Sequence, residues 1–255
     1  MGTWNVQYGR GIEKNQRRLD LITSQAAELW VLTETHDDLD LSATHWAIHS
    51  DQRYSATGGR WTTIWTSLPL IERLATSDPR RCVAARLDAG DAGEVVVYGT
   101  VLPWNGDVGP DKDSPAKGWE EFPRVVPGQG REWLTLRERF PEATLIVAGD
   151  LNQDLGGRHY YGTKACRALL NTELAKANLK CLTTTDRFDA DVLQHPPIDH
   201  VCAAAGQGRY FTTAVHGWNN VVDGARLSDH GGVLVTFSTQ APSARFAPTV
   251  NHPAI

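Results

Sequence analysis

The sequence is short of several things, and each shortage removes a class of protein. No apolar stretch approaches the roughly 18 residues needed to cross a bilayer, so no membrane insertion is expected. The four cysteines, Cys82, Cys166, Cys181 and Cys202, make no C-x-x-C pair and no zinc spacing. That argues against a disulfide framework or a zinc ribbon and leaves reduced, mostly buried thiols. Cationic excess is missing too. A formal net charge of −5 and a pI of about 6.0 argue against a broad basic face gripping nucleic acid. A nuclease with a local basic groove stays open, because a metal centre brings positive charge of its own. No internal repeat, low-complexity block or linker divides the chain. The opening Met1-Gly2-Thr3-Trp4 shows no signal-peptide pattern, and the expected location is the cytoplasm.

What is present is ordinary in bulk. A hydrophobic fraction of 41% with 22% charged residues suits a soluble globular protein. The length of 255 residues allows a large core within one domain. Residues 1–238 are expected to form that domain, and the Pro/Ala/Ser-rich segment 239–255 a disordered tail.

The run Leu145-Ile146-Val147-Ala148 predicts a short buried strand, followed by Gly149, Asp150, Leu151 and Asn152. Strand alternation sends Asp150 and Asn152 to the same side. They either converge on a site beyond the strand end or close an αL turn through an Asx hydrogen bond. Elsewhere the patterning predicts strands at Thr3–Val6, Leu29–Thr33 (with Glu34 at its end), Thr44–His49 and Trp61–Thr66. A hairpin joins Cys82–Leu87 to Glu94–Leu102, and later strands cover Ile198–Ala203, Gly208–His216 and Gly232–Phe237. Helices are expected at Glu13–Leu29, Glu132–Phe140 and Lys164–Ala177. Residues 103–130 read as one long irregular stretch. Many strands among few helices argue for a single α/β domain.

Polar groups gather at the predicted strand ends: Asn5, Glu34, Asp150, Asn152, Asp199, Asp229 and His230. Singly, each has a plain structural use as a cap, a turn residue or a solvated charge. Together they supply carboxylates, amides and an imidazole, the inventory that magnesium-assisted cleavage of a phosphate ester requires. A histidine beside an aspartate can be held protonated and offered to a phosphate.

Five short stretches then carry a resemblance: Trp4-Asn5-Val6-Gln7, Leu32-Thr33-Glu34-Thr35, Ala148-Gly149-Asp150-Leu151-Asn152, Ile198-Asp199-His200-Val201 and Ser228-Asp229-His230. In this order they resemble the endonuclease/exonuclease/phosphatase superfamily, which includes deoxyribonuclease I-like nucleases, AP endonucleases, inositol polyphosphate phosphatases and sphingomyelinases. The resemblance implies a four-layer α/β sandwich, two packed mixed β-sheets with helices on the outer faces. It implies Mg²⁺ as cofactor, with Mn²⁺ as substitute, on Glu34 with Asn5 and Asp229 nearby. Asp150 would orient or deprotonate the attacking water and Asn152 would hold a phosphate oxygen. His230 would bind the scissile phosphate, oriented by Asp199. The middle motif, Val97-Tyr98-Gly99-Thr100-Val101-Leu102-Pro103-Trp104-Asn105, has neither Tyr nor His at the family's offset, so Tyr98 or Asn105 is expected to contact phosphate there. Arg158 and Tyr160, in the loop after the central motif, are further candidates for substrate binding. Arg10, Arg53, Arg60, Arg80, Arg81 and Arg131 also lie in or beside predicted loops, where any that face the site would neutralise flanking phosphates.

The leading expectation is a metal-dependent nuclease, with no obligate protein partner. The alternatives are a phosphatase or phosphodiesterase for a small phosphorylated molecule or lipid head group, and a catalytically silent binding protein.

Overall fold

The structure, a computed structural model, describes residues 1–53, 57–109, 112–189, 192–206 and 211–238. In chain order the regular elements are β1 (Gly2–Asn5), α1 (Ile12–Ser24), β2 (Leu29–His36), β3 (Trp46–His49), β4 (Gly59–Thr66) and β5 (Leu70–Leu74). Next come β6 (Cys82–Asp88), β7 (Glu94–Val101), α2 (Glu121–Arg139), β8 (Thr144–Asp150), α3 (Lys164–Lys176) and β9 (Lys180–Cys181). The chain closes with β10 (Asp199–Ala204), β11 (Phe211–Trp218), β12 (Val221–Val222), β13 (Ala225–Arg226) and β14 (Gly232–Ser238). The expected tail, 239–255, lies outside the described residues.

Two six-stranded sheets result, ordered β11-β14-β1-β2-β4-β3 and β5-β6-β7-β8-β10-β9. Both are mixed. The pair β1–β2 is parallel across the α1 crossover, and β7–β8 is parallel across α2. Three apolar layers hold the sandwich. Val31, Ile64, Val97, Ile146 and Val201 pack between the sheets. Trp4, Trp30, Leu32 and Ile22 join the first sheet to α1. Tyr98, Val147, Phe122, Trp133 and Leu170 join the second sheet to α2 and α3. β8 is buried at every position, which is why its sequence reads as a continuous apolar run rather than an alternating one. This is the expected four-layer α/β sandwich.

Several boundaries differ from the sequence reading, each for a local reason. The first helix ends at Ser24, not Leu29, because Ala26 turns left-handed at φ 48° and Leu29 starts the buried β2. The second begins at Glu121, inside the stretch expected to be irregular, and runs through Pro123 and Pro127. Pro123 sits in the first turn, where its missing N–H has no intrahelical partner to lose. Pro127 is tolerated in a helix anchored by buried Phe122, Val126 and Trp133. Gly149 is not a turn residue. It lies within β8 at φ 135°, and a Cβ there would meet the Thr100 carbonyl oxygen at 2.0 Å, so glycine is what lets β7 run this close.

Candidate active site

Topology brings the predicted polar residues to one edge of the sandwich. β1 ends at Asn5, β8 ends at Asp150, and antiparallel β10 begins at Asp199, directly opposite Asp150. Glu34 lies inside β2 rather than at its end. The ladder runs through Thr33 opposite Thr62 and Thr35 opposite Arg60, while Glu34 departs from strand geometry at φ 50°. For a non-glycine residue this is a strained conformation, costing about 1–3 kcal/mol, and such strain concentrates at functional positions. The last motif is stitched onto the first: Ser228 Oγ donates to the Asn5 carbonyl at 2.6 Å, and Trp4 Nε1 donates to the His230 carbonyl at 3.0 Å.

The side chains form one connected polar cluster. Asn5 Nδ2 donates to Glu34 Oε1 at 3.2 Å and to Asp150 Oδ2 at 3.0 Å, while its Oδ1 accepts from the Gln7 N–H at 2.9 Å. Asn5 therefore enters as a donor holding two carboxylates together. His230 Nδ1 and Asp199 Oδ2 are 2.6 Å apart, and His230 Nε2 lies 4.0 Å from Asp150 Oδ2. Asp150 Oδ1 accepts from the Asn152 N–H at 3.0 Å, and Asn152 Nδ2 donates to the Leu102 carbonyl at 2.9 Å. The Asx turn of the central motif thus exists, and it leaves the other Asp150 oxygen on Asn5. One Asn152 amide N–H remains to serve as a donor. Asp229 is exposed beside this group, its Oδ1 3.3 Å from Ser228 Oγ.

Electrostatics follow from burial of many acids with one imidazole. Burial raises the Asp150 pKa to about 7; His230 and the Asn5 hydrogen bond oppose the rise, and Asp199 and Glu34 add to it. Burial also raises Glu34, with the Asn5 hydrogen bond and then the Arg53 charge pulling it back. Burial works against the His230 imidazolium, yet Asp199 and then Asp150 raise its pKa to about 10. His230 is therefore a cation at neutral pH, flanked by carboxylates.

Asp150, Asp199 and His230 offer ligand atoms within 4.8 Å of one another, a grouping able to hold a metal ion. An imidazolium with Nδ1 committed to Asp199 is a poor ligand, since metals take the neutral ring. Carboxylate oxygens suit a hard divalent cation better: those of Asp150 and Asp199 in this grouping, with Glu34 tied in through Asn5. The donor set fits such an ion: carboxylates crowd together, and Asp199 Oδ1 is buried with no hydrogen-bond partner among the described residues.

Beside the cluster lies a cleft of about 300 Å³, lined by Asp199, Asp229 and His230 on one side and by Tyr160, Tyr161 and His195 on the other. Tyr160, 51% exposed, stacks on His195 with centroids 5.0 Å apart and planes 12° apart. Of the expected substrate-binding residues, Tyr160 alone lines this cleft. Tyr98 does not. Strand parity turns it to the outer layer, where it is fully buried and donates to Glu132 Oε2 at 2.6 Å. Its high pKa, from burial first, keeps it a neutral phenol there. Asn105 and Arg158 are exposed on loops, with no contact to the carboxylates among the described residues. Arg81 is buried in an ion pair with Asp107. His195 was missed, because a lone histidine between Gln194 and Pro196 carries no pattern.

No known family model matches the sequence, and no curated protein matches it. Solved structures do. The chain is similar to the crystal structure of an endonuclease/exonuclease/phosphatase from Beutenbergia cavernae DSM 12333, at 18% identity and a TM-score of 0.62 over 93% of this chain and 70% of that one. It is similar to the endonuclease domain of TRAS1, a telomere-specific non-LTR retrotransposon, at 16% identity and 0.62 over 94% and 98%. It also resembles D. rerio TDP2 complexed with a single-strand DNA product, at 13% identity and 0.62 over 93% and 98%. With the two mixed six-stranded sheets, these likenesses establish the fold: it is the two-sheet sandwich of the endonuclease/exonuclease/phosphatase proteins.

Proposed function

We propose that this protein is a divalent-metal-dependent phosphodiesterase that cleaves nucleic acid by in-line attack of an activated water. The observation that carries the reading is the edge cluster itself, in which Asp150 faces an Asp199–His230 pair on one side and Asn5–Glu34 on the other. His230, cationic at neutral pH, donates to a phosphoryl oxygen and offsets its charge. Asp150, with a pKa raised to about 7, is poised to accept the proton of the attacking water, as efficient general bases are. Asn5 keeps Glu34 and Asp150 in register, and the remaining Asn152 N–H donates to a second phosphoryl oxygen. Glu34 with Asp229 would hold Mg²⁺ or Mn²⁺, which when bound would supply Lewis-acid neutralisation of the phosphate charge.

Nucleic acid is the substrate the surroundings favour. The Tyr160–His195 stack in the adjoining cleft offers a planar face to a base. Two of the structures it resembles are an endonuclease domain and a protein crystallised with single-strand DNA. Among the described residues no helix is long and apolar enough to cross a membrane, and four free cysteines suit the reducing cytoplasm.

The test is an assay with Mg²⁺ or Mn²⁺ on single-stranded DNA, duplex DNA, RNA, bis-p-nitrophenyl phosphate and a panel of monoesters. The expected result is diester cleavage that EDTA abolishes. Full activity in EDTA overturns the mechanism, and cleavage of monoesters alone replaces the nuclease reading with a small-molecule phosphatase.

A further inference from the structure

Arg53 is held in an unusual way. Its guanidinium carbon lies 3.8 Å from the centroid of the Trp61 ring and 4.4 Å from that of Tyr8, and Trp104 backs Trp61 at 5.1 Å. Its backbone N–H donates to the Gly59 carbonyl at 3.0 Å, which fixes the root of the side chain. The residue is only 9% exposed, and its buried Nη1 has no hydrogen-bond partner among the described residues. Ring contacts satisfy the faces of a guanidinium, not the in-plane N–H groups, which are built to meet a carboxylate or phosphate. A buried charged donor left without an acceptor is expensive, so its retention points to a ligand that completes it.

Position says which ligand. Trp61 lies between Thr62 and Arg60, which pair with Thr33 and Thr35 on either side of Glu34, and Tyr8 follows Asn5 by three residues, so the two rings lie by the Glu34 side of the cluster. Arg53 acts electrostatically on Glu34, as His230 also does, and is not among the groups acting on Asp150. With its guanidinium over Tyr8 and Trp61, Arg53 stands beside the Glu34 part of the cluster.

We propose that Arg53 is a phosphate subsite: its unpartnered edge takes the phosphate next to the scissile one, so the substrate is a chain with at least two neighbouring phosphodiesters. This rests on the diester-cleaving reading above and adds to it a named residue for the neighbouring phosphate, without which that phosphate contributes nothing. A single diester fills the His230 side and leaves Arg53 idle.

The test compares Arg53→Gln with wild type on a tetranucleotide and on bis-p-nitrophenyl phosphate, which has no flanking phosphate. The variant is expected to lose about tenfold or more in kcat/KM on the tetranucleotide and to stay within about twofold on the single diester. A methylphosphonate at the neighbouring position should cost wild type a similar factor and cost the variant nothing further. Equal losses on both substrates, or no loss on either, overturn the proposal; the first would mean that Arg53 only positions Glu34. Arg53→Lys, which keeps the charge without the planar fork, is read by the same criteria if the glutamine variant does not fold. Binding separates this proposal from the catalytic reading. In EDTA, anisotropy of a fluorescein-labelled tetranucleotide should show weaker binding by the variant, with a log K against log salt slope smaller by about 0.7. If wild type cleaves nothing, the catalytic reading fails while this arm still decides on Arg53, and equal affinity and slope would refute it.

Discussion

Around Arg81 the fully buried charges match, one guanidinium to the one carboxylate of Asp107, whereas at the end of β8 carboxylates outnumber the single imidazole. Arg81 makes a two-pronged contact with Asp107, Nη1 to Oδ2 at 2.7 Å and Nη2 to Oδ1 at 2.9 Å, with Asp78 at 3.3 Å from Nε. Asp107 also accepts the Gly109 N–H at 2.8 Å, so the pair pins the start of the loop after β7. At the β8 end, Asp150 and Asp199 face each other across a strand pair, and Glu34 is tied in through Asn5 against the single imidazole of His230. Like charges directly opposite on a sheet are destabilising. One region spends its buried charges on holding a loop. The other keeps an excess of carboxylates over its single imidazole, a pattern typical of sites where function outranks stability.

Substitutions sharpen the contrast. His230→Ala or Asp150→Ala should lower kcat/KM by about a thousandfold or more, since each removes a group acting on the reacting atoms. Asp107→Ala should leave the cluster's chemistry intact but destabilise the fold by up to about 3–5 kcal/mol in denaturant melts, because the buried Arg81 loses its two-pronged partner and keeps only Asp78 at Nε. Asp150→Asn should do the reverse, abolishing activity while raising stability by about 0.5–2 kcal/mol in EDTA at pH 8. Its sign follows from the pKa. Asp150 titrates near 7 in the fold, above the ordinary 3.8, so ionisation erodes stability as the pH rises from about 4 through 7. The gain of the asparagine variant should therefore be full above pH 7 and absent below about 4. The smallest effect concerns His230, whose imidazolium stabilises the fold fully below pH 6.5 and ceases to do so as the pH passes about 10. In metal-free protein, Asp199→Asn should move its imidazole NMR titration downward; an unmoved midpoint would break the pairing argument.

The same two regions show what could be read in the sequence. The β8 run and the residues at the strand ends were legible because burial on both faces leaves an unbroken apolar signature and a strand end leaves an abrupt polar one. Asn5, Glu34, Asp150, Asn152, Asp199, Asp229 and His230 were all named on that basis and lie along one edge, although Glu34 sits inside β2 and not at its end. Tyr98 was misread because the face a strand residue takes depends on which side each sheet packs, and Val97 and Gly99 turn to the other sheet instead. The start of α2 was hidden by Pro123 and Pro127, whose local preference is overridden by the buried Phe122, Val126 and Trp133 face. Nothing in local pattern announces that Arg81 meets Asp107 while Arg53 meets two rings, since partners distant in sequence decide both.

The most direct test of the charge-imbalance account is the rate of diester cleavage as Mg²⁺ is titrated into EDTA-stripped wild type and Glu34→Gln. The account predicts no cleavage without metal, a saturable rise for wild type, and at least a tenfold higher Mg²⁺ requirement for the variant. Undiminished cleavage in EDTA, or superimposable Mg²⁺ curves for the two proteins, would contradict it.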